Sequence, residues 1–208
     1  SASEEGDDYT TLANQWLNDA AKEVINILPP KLKEKCATIS IVNATNGTTL
    51  DVDGIGDILQ VTRKSADSGG YYIPCREVMP MHGDLTNDST SLYYATVTDP
   101  TYWITSNSSD ASTLFIKPTA TDNQPANVYH IGYPTVDHAA TTIANFPDEA
   151  EYLVPLRAAI TALEYKLNFE EDSELYIPMI SNLKQEFQQG ILALQTGSII
   201  PPKQQGAR

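Results

Sequence analysis

The strongest constraint on the fold is a pair of helical apolar repeats near the C-terminal end of the chain, in residues 146–194. Apolar residues recur there every three or four positions, which is the spacing of one helix face. The first repeat is Leu153, Leu156, Ile160, Leu163 and Leu167, and the second is Leu175, Met179, Leu183, Phe187, Ile191 and Leu194. The pattern predicts two long amphipathic helices whose apolar faces need other helices to cover them.

Prolines and small residues mark the predicted ends of these two helices. Pro147 suits a first helical turn, and Pro155 predicts a kink because its ring displaces an upstream carbonyl. The acidic stretch 168–172 separates the helices, and Ser173 is a candidate N-cap for the second one. Gly197 is a candidate C-terminal stop.

A third helical repeat occupies residues 9–28. Its apolar positions are Leu12, Trp16, Ala20 and Val24, with Leu17, Ala21, Ile25 and Leu28 beside them. Asp8 or Thr10 is a candidate N-cap, and Pro29 with Pro30 stops the helix because proline cannot donate a backbone hydrogen bond. The sequence therefore predicts one broad buried face on this helix.

Between the helical repeats the pattern changes to short runs of β-branched and aromatic residues separated by turn residues. The runs are TISIV (38–42), DILQVTR (57–63), YYIPCREV (71–78), TYWITS (101–106), TLFIKP (113–118) and NVYHIGYP (127–134). Such runs favour a small antiparallel sheet system, either a sandwich or a partly open barrel. Asn46-Gly47 is the strongest hairpin signal in the chain.

The predicted fold class is α+β, with a β-rich module inserted into a small bundle of long helices. The predicted divisions are an acidic N-terminal tail (1–8), a first bundle helix (9–36), the β-rich module (37–140), two further bundle helices (141–197) and a flexible C-terminal arm (198–208). The bundle should be packed by Leu12, Trp16, Val24, Leu156, Ile160, Leu163, Leu167, Leu183, Phe187 and Ile191.

The charge balance limits the possible partners. The 208 residues include 27 Asp and Glu against 13 Lys and Arg, for a formal net charge of −14. This charge repels phosphate backbones and anionic membranes, although it suits a surface past which DNA must slide. No apolar stretch is long enough to span a bilayer, and the N-terminus lacks the features of a signal peptide. Cys36 and Cys75 are expected to be free thiols rather than a disulfide framework.

Residues that carry chemistry are sparse, and their patterns favour structural roles. His82, His130 and His138 lack the spacing of a zinc site, and His130 falls in an apolar strand pattern. The DVDGIGD run (51–57) fails as a calcium loop, since an isoleucine stands at a ligand position. Acidic pairs such as Asp148-Glu149 fall at predicted helix starts, where the helix dipole favours carboxylates. The sequence predicts no enzyme, no cofactor and no metal.

The order of these features resembles the head-to-tail connector proteins of tailed bacteriophages, also called adaptor or neck proteins. The stretches that carry the resemblance are NQWLNDAAKEVINILP, DILQVTRKS, CREVMP, SLYYATVTDPTYWI, LFIKPTA, VYHIGYP and IANFPDEAEYLVPLRAAITAL. Together they span roughly residues 12–194.

The resemblance implies a ring of about twelve copies beneath the portal vertex of a capsid. In such rings the helical bundles surround a DNA channel, a β-rich part faces a neighbour or the tail, and the C-terminal arm reaches the portal. The implied partners are therefore further copies of the chain, the portal protein and tail or nozzle proteins. Here the arm is represented by Ile199, Ile200, Pro201, Pro202, Lys203 and Arg208. The N-terminal serine fits removal of an initiator methionine from a virion component made in the bacterial cytoplasm.

Two other classes of function stay open at the level of sequence. One is another tail component, such as a tail-tube, tail-completion or baseplate protein, although the long helices argue against a tail tube. The other is a carbohydrate-binding module, which only the aromatic residues of the strand patterns favour. A hydrolase is disfavoured because the sequence shows no converging pair of carboxylates.

Overall fold

The computed structural model describes residues 2–43, 48–50, 55–65, 70–106, 112–120, 124–168 and 173–197. The chain divides into two compact units. A helical unit combines the chain before Ala37 with the chain after Gly132, and a β-rich unit is formed by Ala37–Gly132. The mixed α+β class predicted from the sequence is confirmed. The β-rich unit ends at Gly132, whereas the sequence placed its end at residue 140.

The first helix, α1, spans Ala2–Ile27. It starts seven residues before the predicted start at Tyr9, within the segment 1–8 that the sequence assigned to an acidic tail. After α1 come a single helical turn, α2 (Pro30–Lys33), and a 3-10 turn, Glu34–Cys36.

The second helical repeat is interrupted close to Pro155. A short helix, α3, spans Asp148–Glu151, and α4 spans Leu153–Leu167. The break falls at Tyr152, three residues before Pro155. Proline has no backbone N–H, so Pro155 cannot donate a hydrogen bond to the carbonyl of Glu151, four residues earlier. The interruption predicted from Pro155 is therefore present.

The last helix, α5, spans Ser173–Thr196 and contains Pro178 within its second turn. Ser173 is the first residue of the helix rather than a residue before it. Gly197 follows with a positive φ of 69°, the left-handed conformation that commonly ends helices and that glycine adopts without steric cost.

Helix α4 holds the helical unit together because it contacts both α1 and α5. The buried apolar side chains lie on all three helices and on α3; they are Ala20, Ala21, Val24, Ile25, Ala150, Leu153, Val154, Ala158, Ile160, Ile180, Phe187 and Ala193. At the surface, Arg157 pairs with Glu23 of α1, and Glu164 pairs with Lys184 of α5, each at 2.7 Å. Such exposed pairs add little, so apolar burial stabilises the bundle.

The described strands of the β-rich unit form two four-stranded sheets. The strands are β1 (Ala37–Asn43), β2 (Thr48–Leu50), β3 (Ile55–Lys64), β4 (Tyr72–Pro74), β5 (Arg76–Glu77), β6 (Thr101–Ser106), β7 (Ser112–Lys117) and β8 (Pro125–Gly132). The orders are β1-β8-β3-β4 and β2-β7-β6-β5, and the pairs are antiparallel except for β5 and β6. The hairpin signal Asn46-Gly47 lies outside the described residues.

Side chains from both sheets form one buried apolar cluster, as expected for a sandwich. Its members are Val61, Cys75, Tyr102, Leu114, Ile116, Ala126 and Val128. Cys75 lies where the chain passes from β4 in one sheet to β5 in the other, so the single strand predicted over residues 71–78 is two strands. Burial raises the pKa of Cys75 to about 12, although the nearby charge of Arg63 lowers it. Among the described residues, Cys36 and Cys75 are free thiols, as the sequence predicted.

Gly190 provides a specific test of the contact between α5 and the start of α4. A methyl group added there would lie 2.6 Å from Cδ2 of Leu153 and 2.7 Å from the hydroxyl oxygen of Tyr152. Leu153 is fully buried, so it has little room to move. In an isolated helix Gly→Ala stabilises by about 1 kcal/mol. Here we expect Gly190→Ala to lower the free energy of unfolding by about 1–3 kcal/mol, measured by urea denaturation.

The matched control is Gln189→Ala, one residue earlier on the exposed side of the same helix. It should change the free energy of unfolding by less than about 0.5 kcal/mol. A Gly190→Ala variant as stable as Gln189→Ala would show that α5 does not pack against Tyr152 and Leu153 as described.

Candidate docking surfaces

The described residues offer little reactive chemistry. They contain no group of three or more His, Cys, Asp or Glu side chains arranged to hold a metal ion. His130 is buried and hydrogen bonded to the hydroxyl of Ser40 at 2.9 Å. His82 stacks on Tyr93 with ring centroids 4.3 Å apart. Both histidines are thus engaged in contacts that position the chain.

The acidic pair Asp148-Glu149 begins α3, in agreement with its predicted place at a helix start. Glu149 accepts hydrogen bonds from Lys35 at 2.8 and 3.0 Å. This hydrogen bonding lowers the pKa of Glu149, which stays ionised near neutral pH. The carboxylate therefore joins α3 to the 3-10 turn after α2, and the predicted acidic residues 170–172 lie outside the described residues.

Three asparagines of α1 hold the segment that returns from the last strand, residues 133–138. Asn18 accepts from the backbone N–H of Val136 at 2.8 Å and donates to its carbonyl at 3.2 Å. Asn14 accepts from the N–H of His138 at 2.8 Å, and Asn26 accepts from the hydroxyl of Tyr133 at 3.0 Å. The segment runs antiparallel to α1, and we call these contacts the asparagine clamp.

The asparagine clamp was not predicted from the sequence, although a signal for it exists. Asn14, Asn18 and Asn26 are spaced by four and eight positions, so they share one face of the helix. Asparagine is a poor helix former, and three of them on one face suggest hydrogen bonds outside the helix. The sequence does not show which segment supplies the partners.

Beyond the clamp, the returning chain forms one wall of a groove with a volume of about 500 Å³. Apolar side chains from α1, the returning chain and α4 line it, including Leu17, Val136, Ile143 and Val154. The backbone N–H of Ile143 donates to the carboxylate of Glu151 and fixes the wall against α3. The groove is therefore apolar and held in shape by hydrogen bonds.

Four acidic residues also line this groove, namely Asp137, Asp148, Glu149 and Glu151. Glu149 is paired with Lys35, Asp137 lies 3.0 Å from the Nδ1 atom of His138, and Asp148 is exposed. Burial raises the pKa of Tyr152, so the phenol in the wall stays neutral. The groove thus suits an occupant with apolar side chains and positive charge.

The β-rich unit has a second apolar surface on the loop between β5 and β6, residues 78–100. Its exposed apolar side chains are Met79, Met81, Leu85, Leu92, Tyr94 and Val97. Leu92 is 94% exposed and Met81 is 78% exposed. The loop has a fixed shape because Gly83 packs against the ring of Trp103, and the hydroxyl of Thr86 donates to the carbonyl of Gly83 at 2.6 Å. A preorganised loop of this kind is a candidate interaction surface.

Two further apolar surfaces are open to solvent. Ile39 and Ile41 are exposed on β1, an edge strand of its sheet. Leu175, Ile177 and Met179 are exposed on the first turns of α5. Leu175 and Met179 belong to the predicted apolar stripe of α5, and no other helix that the structure describes covers them. The buried face of this helix carries Ile180, Phe187 and Ala193 instead.

The structure places the predicted bundle residues on α1, α4 and α5. Val24, Ile160 and Phe187 are buried, while the half-buried ones are Leu12, Trp16, Leu156, Leu163, Leu167, Leu183 and Ile191. Trp16 contacts Tyr165 with ring centroids 5.4 Å apart. Their contribution to the stability of the bundle stays a prediction. The predicted arm residues, Ile199 to Arg208, lie outside the described residues.

The groove and the exposed apolar loop are surfaces of the kind through which proteins dock to other proteins. A comparison with protein families then gives the particular family: the model described as SU10 adaptor protein matches residues 1–206, so the chain belongs to this family. A search among curated proteins found no match.

The family consists of head–tail adaptors of phages, which confirms the resemblance found in the sequence. The chain is accordingly a structural adaptor rather than an enzyme. In the ranges that the structure describes, no helix is both long enough and apolar enough to cross a bilayer.

Asn18 allows a direct test of the asparagine clamp. Asn18→Ala removes both hydrogen bonds to Val136 and leaves two backbone groups without that partner. We expect a loss of about 1–3 kcal/mol in the free energy of unfolding, measured by urea denaturation. Asn18→Asp keeps an acceptor for the Val136 N–H but places a carboxylate beside its carbonyl, so it should not restore full stability.

The control for this test is Asp19→Ala, which changes an exposed side chain on the next position of α1. Its effect should stay within about 0.5 kcal/mol. Equal stability of Asn18→Ala and Asp19→Ala would contradict a stabilising role for the clamp.

Proposed function

We propose that this head–tail adaptor assembles into a ring of about twelve copies below the portal and joins the capsid to the tail. The ring would contact the portal protein on one side and tail or nozzle proteins on the other. It would act in the virion, at the head–tail junction, after assembly in the host bacterial cytoplasm. The observation that carries the proposal is the family match over residues 1–206.

The exposed apolar surfaces support contacts between copies. The loop of residues 78–100 belongs to the β-rich unit, while the exposed start of α5 belongs to the helical unit. A chain with two different patches can form a heterologous contact, in which one patch meets another patch of the next copy. Such contacts close into rings when the rotation between copies allows it.

The charge of the chain supports a passive channel for DNA. The net charge of −14 per copy opposes binding to the phosphate backbone. DNA would therefore pass without sequence-specific contacts and without strong adhesion. No cofactor or metal is part of the proposal.

The C-terminal arm is proposed to attach the adaptor to the portal. Ile199 and Ile200 are adjacent apolar residues, and Pro201 with Pro202 favours an extended backbone after them. Lys203 and Arg208 add positive charge to an otherwise acidic chain. An extended arm of this composition suits a groove on a partner with an acidic edge.

Electron microscopy of the purified protein mixed with the portal protein of its phage tests the proposed assembly. We expect a second ring stacked on the portal ring, with a central opening wide enough for duplex DNA. Images that show only bare portal rings, at adaptor concentrations well above those of the portal, would contradict the proposal.

The role of the arm has its own test. Deleting residues 198–208 should leave the circular dichroism spectrum nearly unchanged, because α5 ends at Thr196. Co-sedimentation with portal rings should fall strongly, since each buried isoleucine contributes about 1.5–3 kcal/mol.

A matched pair of full-length variants distinguishes the effect of the two isoleucines on portal binding from the effect of shortening the arm. Ile199→Ser with Ile200→Ser should lose portal binding as the deletion does, whereas Gln204→Ser with Gln205→Ser should keep it. Undiminished portal binding by the isoleucine variant would show that the arm does not anchor the adaptor.

A further inference from the structure

The groove beside the asparagine clamp has the chemistry of a peptide site. Its volume of about 500 Å³ lies within the usual range for ligand pockets. Its lining includes the apolar side chains of Leu17, Val136 and Ile143 and the carboxylates of Asp137 and Asp148. An occupant should therefore offer both apolar side chains and cations.

Helix α5 contacts one of the residues that line this groove. The backbone at Gly190 closely approaches Tyr152, and Tyr152 lines the groove. From Gly190 to Thr196 the helix advances by only about 9 Å. Gly197 then adopts a left-handed conformation, which turns the chain off the helix axis.

The segment that follows has matching length and composition. Ile199 and Ile200 stand two and three residues beyond Gly197, so an extended backbone carries them about 7–11 Å from the end of α5, and the whole arm of residues 198–208 spans up to about 36 Å. Ile199 and Ile200 are its apolar residues, and Lys203 and Arg208 carry charge opposite to that of Asp137 and Asp148. The arm thus combines apolar and cationic residues, as the groove lining combines apolar and acidic ones.

We propose that, before the adaptor docks to the portal, the C-terminal arm lies in the groove of its own chain. Ile199 and Ile200 contact the apolar side chains of the lining, and the two cations face its acidic residues. The portal then competes with the groove for the same arm. The inference rests on the proposed function only for this last step, in which portal binding displaces the arm.

The occupant is the arm of the same chain rather than that of a second copy. A tether of a few residues gives the arm a local concentration in the millimolar range or above, which another molecule reaches only at high protein concentration. The net charge of −14 on each copy also opposes close approach of two free chains. Since only the fraction of chains with a released arm can bind the portal, the groove lowers the apparent affinity for the portal.

Disulfide trapping in the full-length chain tests this placement. Thr142 is an exposed residue that lines the groove, so Thr142→Cys with Gln204→Cys should form a disulfide within one chain under a mild oxidant. The native Cys36 and Cys75 are buried and should not interfere. The control pair is Gln189→Cys with Gln204→Cys, because Gln189 is exposed on α5 and within reach of the arm.

We expect the groove pair to form its disulfide about ten-fold faster than the control pair, because two docked isoleucines favour the bound arm. Adding Ile199→Ser and Ile200→Ser should remove this preference. Asp137→Lys with Asp148→Lys should slow trapping about five-fold through charge repulsion. Equal rates for the groove and control pairs, or disulfides formed mainly between chains, would overturn the proposal.

Portal binding by the same variants separates this inference from the proposed role of the arm. If the trapped chain forms and still binds portal rings fully, the groove placement stands and the portal role of the arm is wrong. If no trap forms and portal binding still requires Ile199 and Ile200, the portal role stands and the groove placement is wrong.

Discussion

The packing of α1 against α4 is the constraint on which the rest of the molecule depends. Ala21, Val24 and Ile25 are fully buried on α1, yet the helix that contacts it comes from the other end of the chain. The chain between them must therefore leave and return at neighbouring points. It does so because β1 and β8, the first and last strands of the β-rich unit, are antiparallel neighbours, with Ala37 opposite Ile131. The two ends of the inserted β-rich unit therefore lie side by side. The pairing of its strands offsets the entropy lost when the chain closes this long loop.

Local periodicity was enough to predict most helices and strands, because it depends on a residue and its near neighbours. It predicted the bounds of β6 and the interruption near Pro155. It failed at Cys75, where a continuous β-branched and aromatic run passes from one sheet to the other. Leu175 and Met179 have helical spacing, but no other helix that the structure describes covers them. In both cases the outcome depends on contacts with distant elements, which local spacing does not contain.

The docking surfaces were harder to predict than the fold for the same reason. Asn14 and Asn18 are visible in the sequence, but their partners Val136 and His138 lie more than a hundred residues away. The groove exists only because these hydrogen bonds hold the returning chain beside α1. Family resemblance, by contrast, depends on the order of many weak features along the chain, and it identified the class of protein without any of these contacts.

Under the proposed function, the placement of the arm links two events that would otherwise be independent. One segment cannot lie in its own groove and in the portal at once, so under the proposed arm placement a docked copy would have an empty groove and a free copy a filled one. Any neighbour or tail protein that recognises the empty groove would then bind docked copies in preference to free ones. Thermodynamic linkage makes the effect reciprocal, so filling the groove with such a partner would also favour portal binding. In this proposal the acidic charge of the free chains would oppose premature assembly, and release of the arm at the portal would determine where the next contact forms.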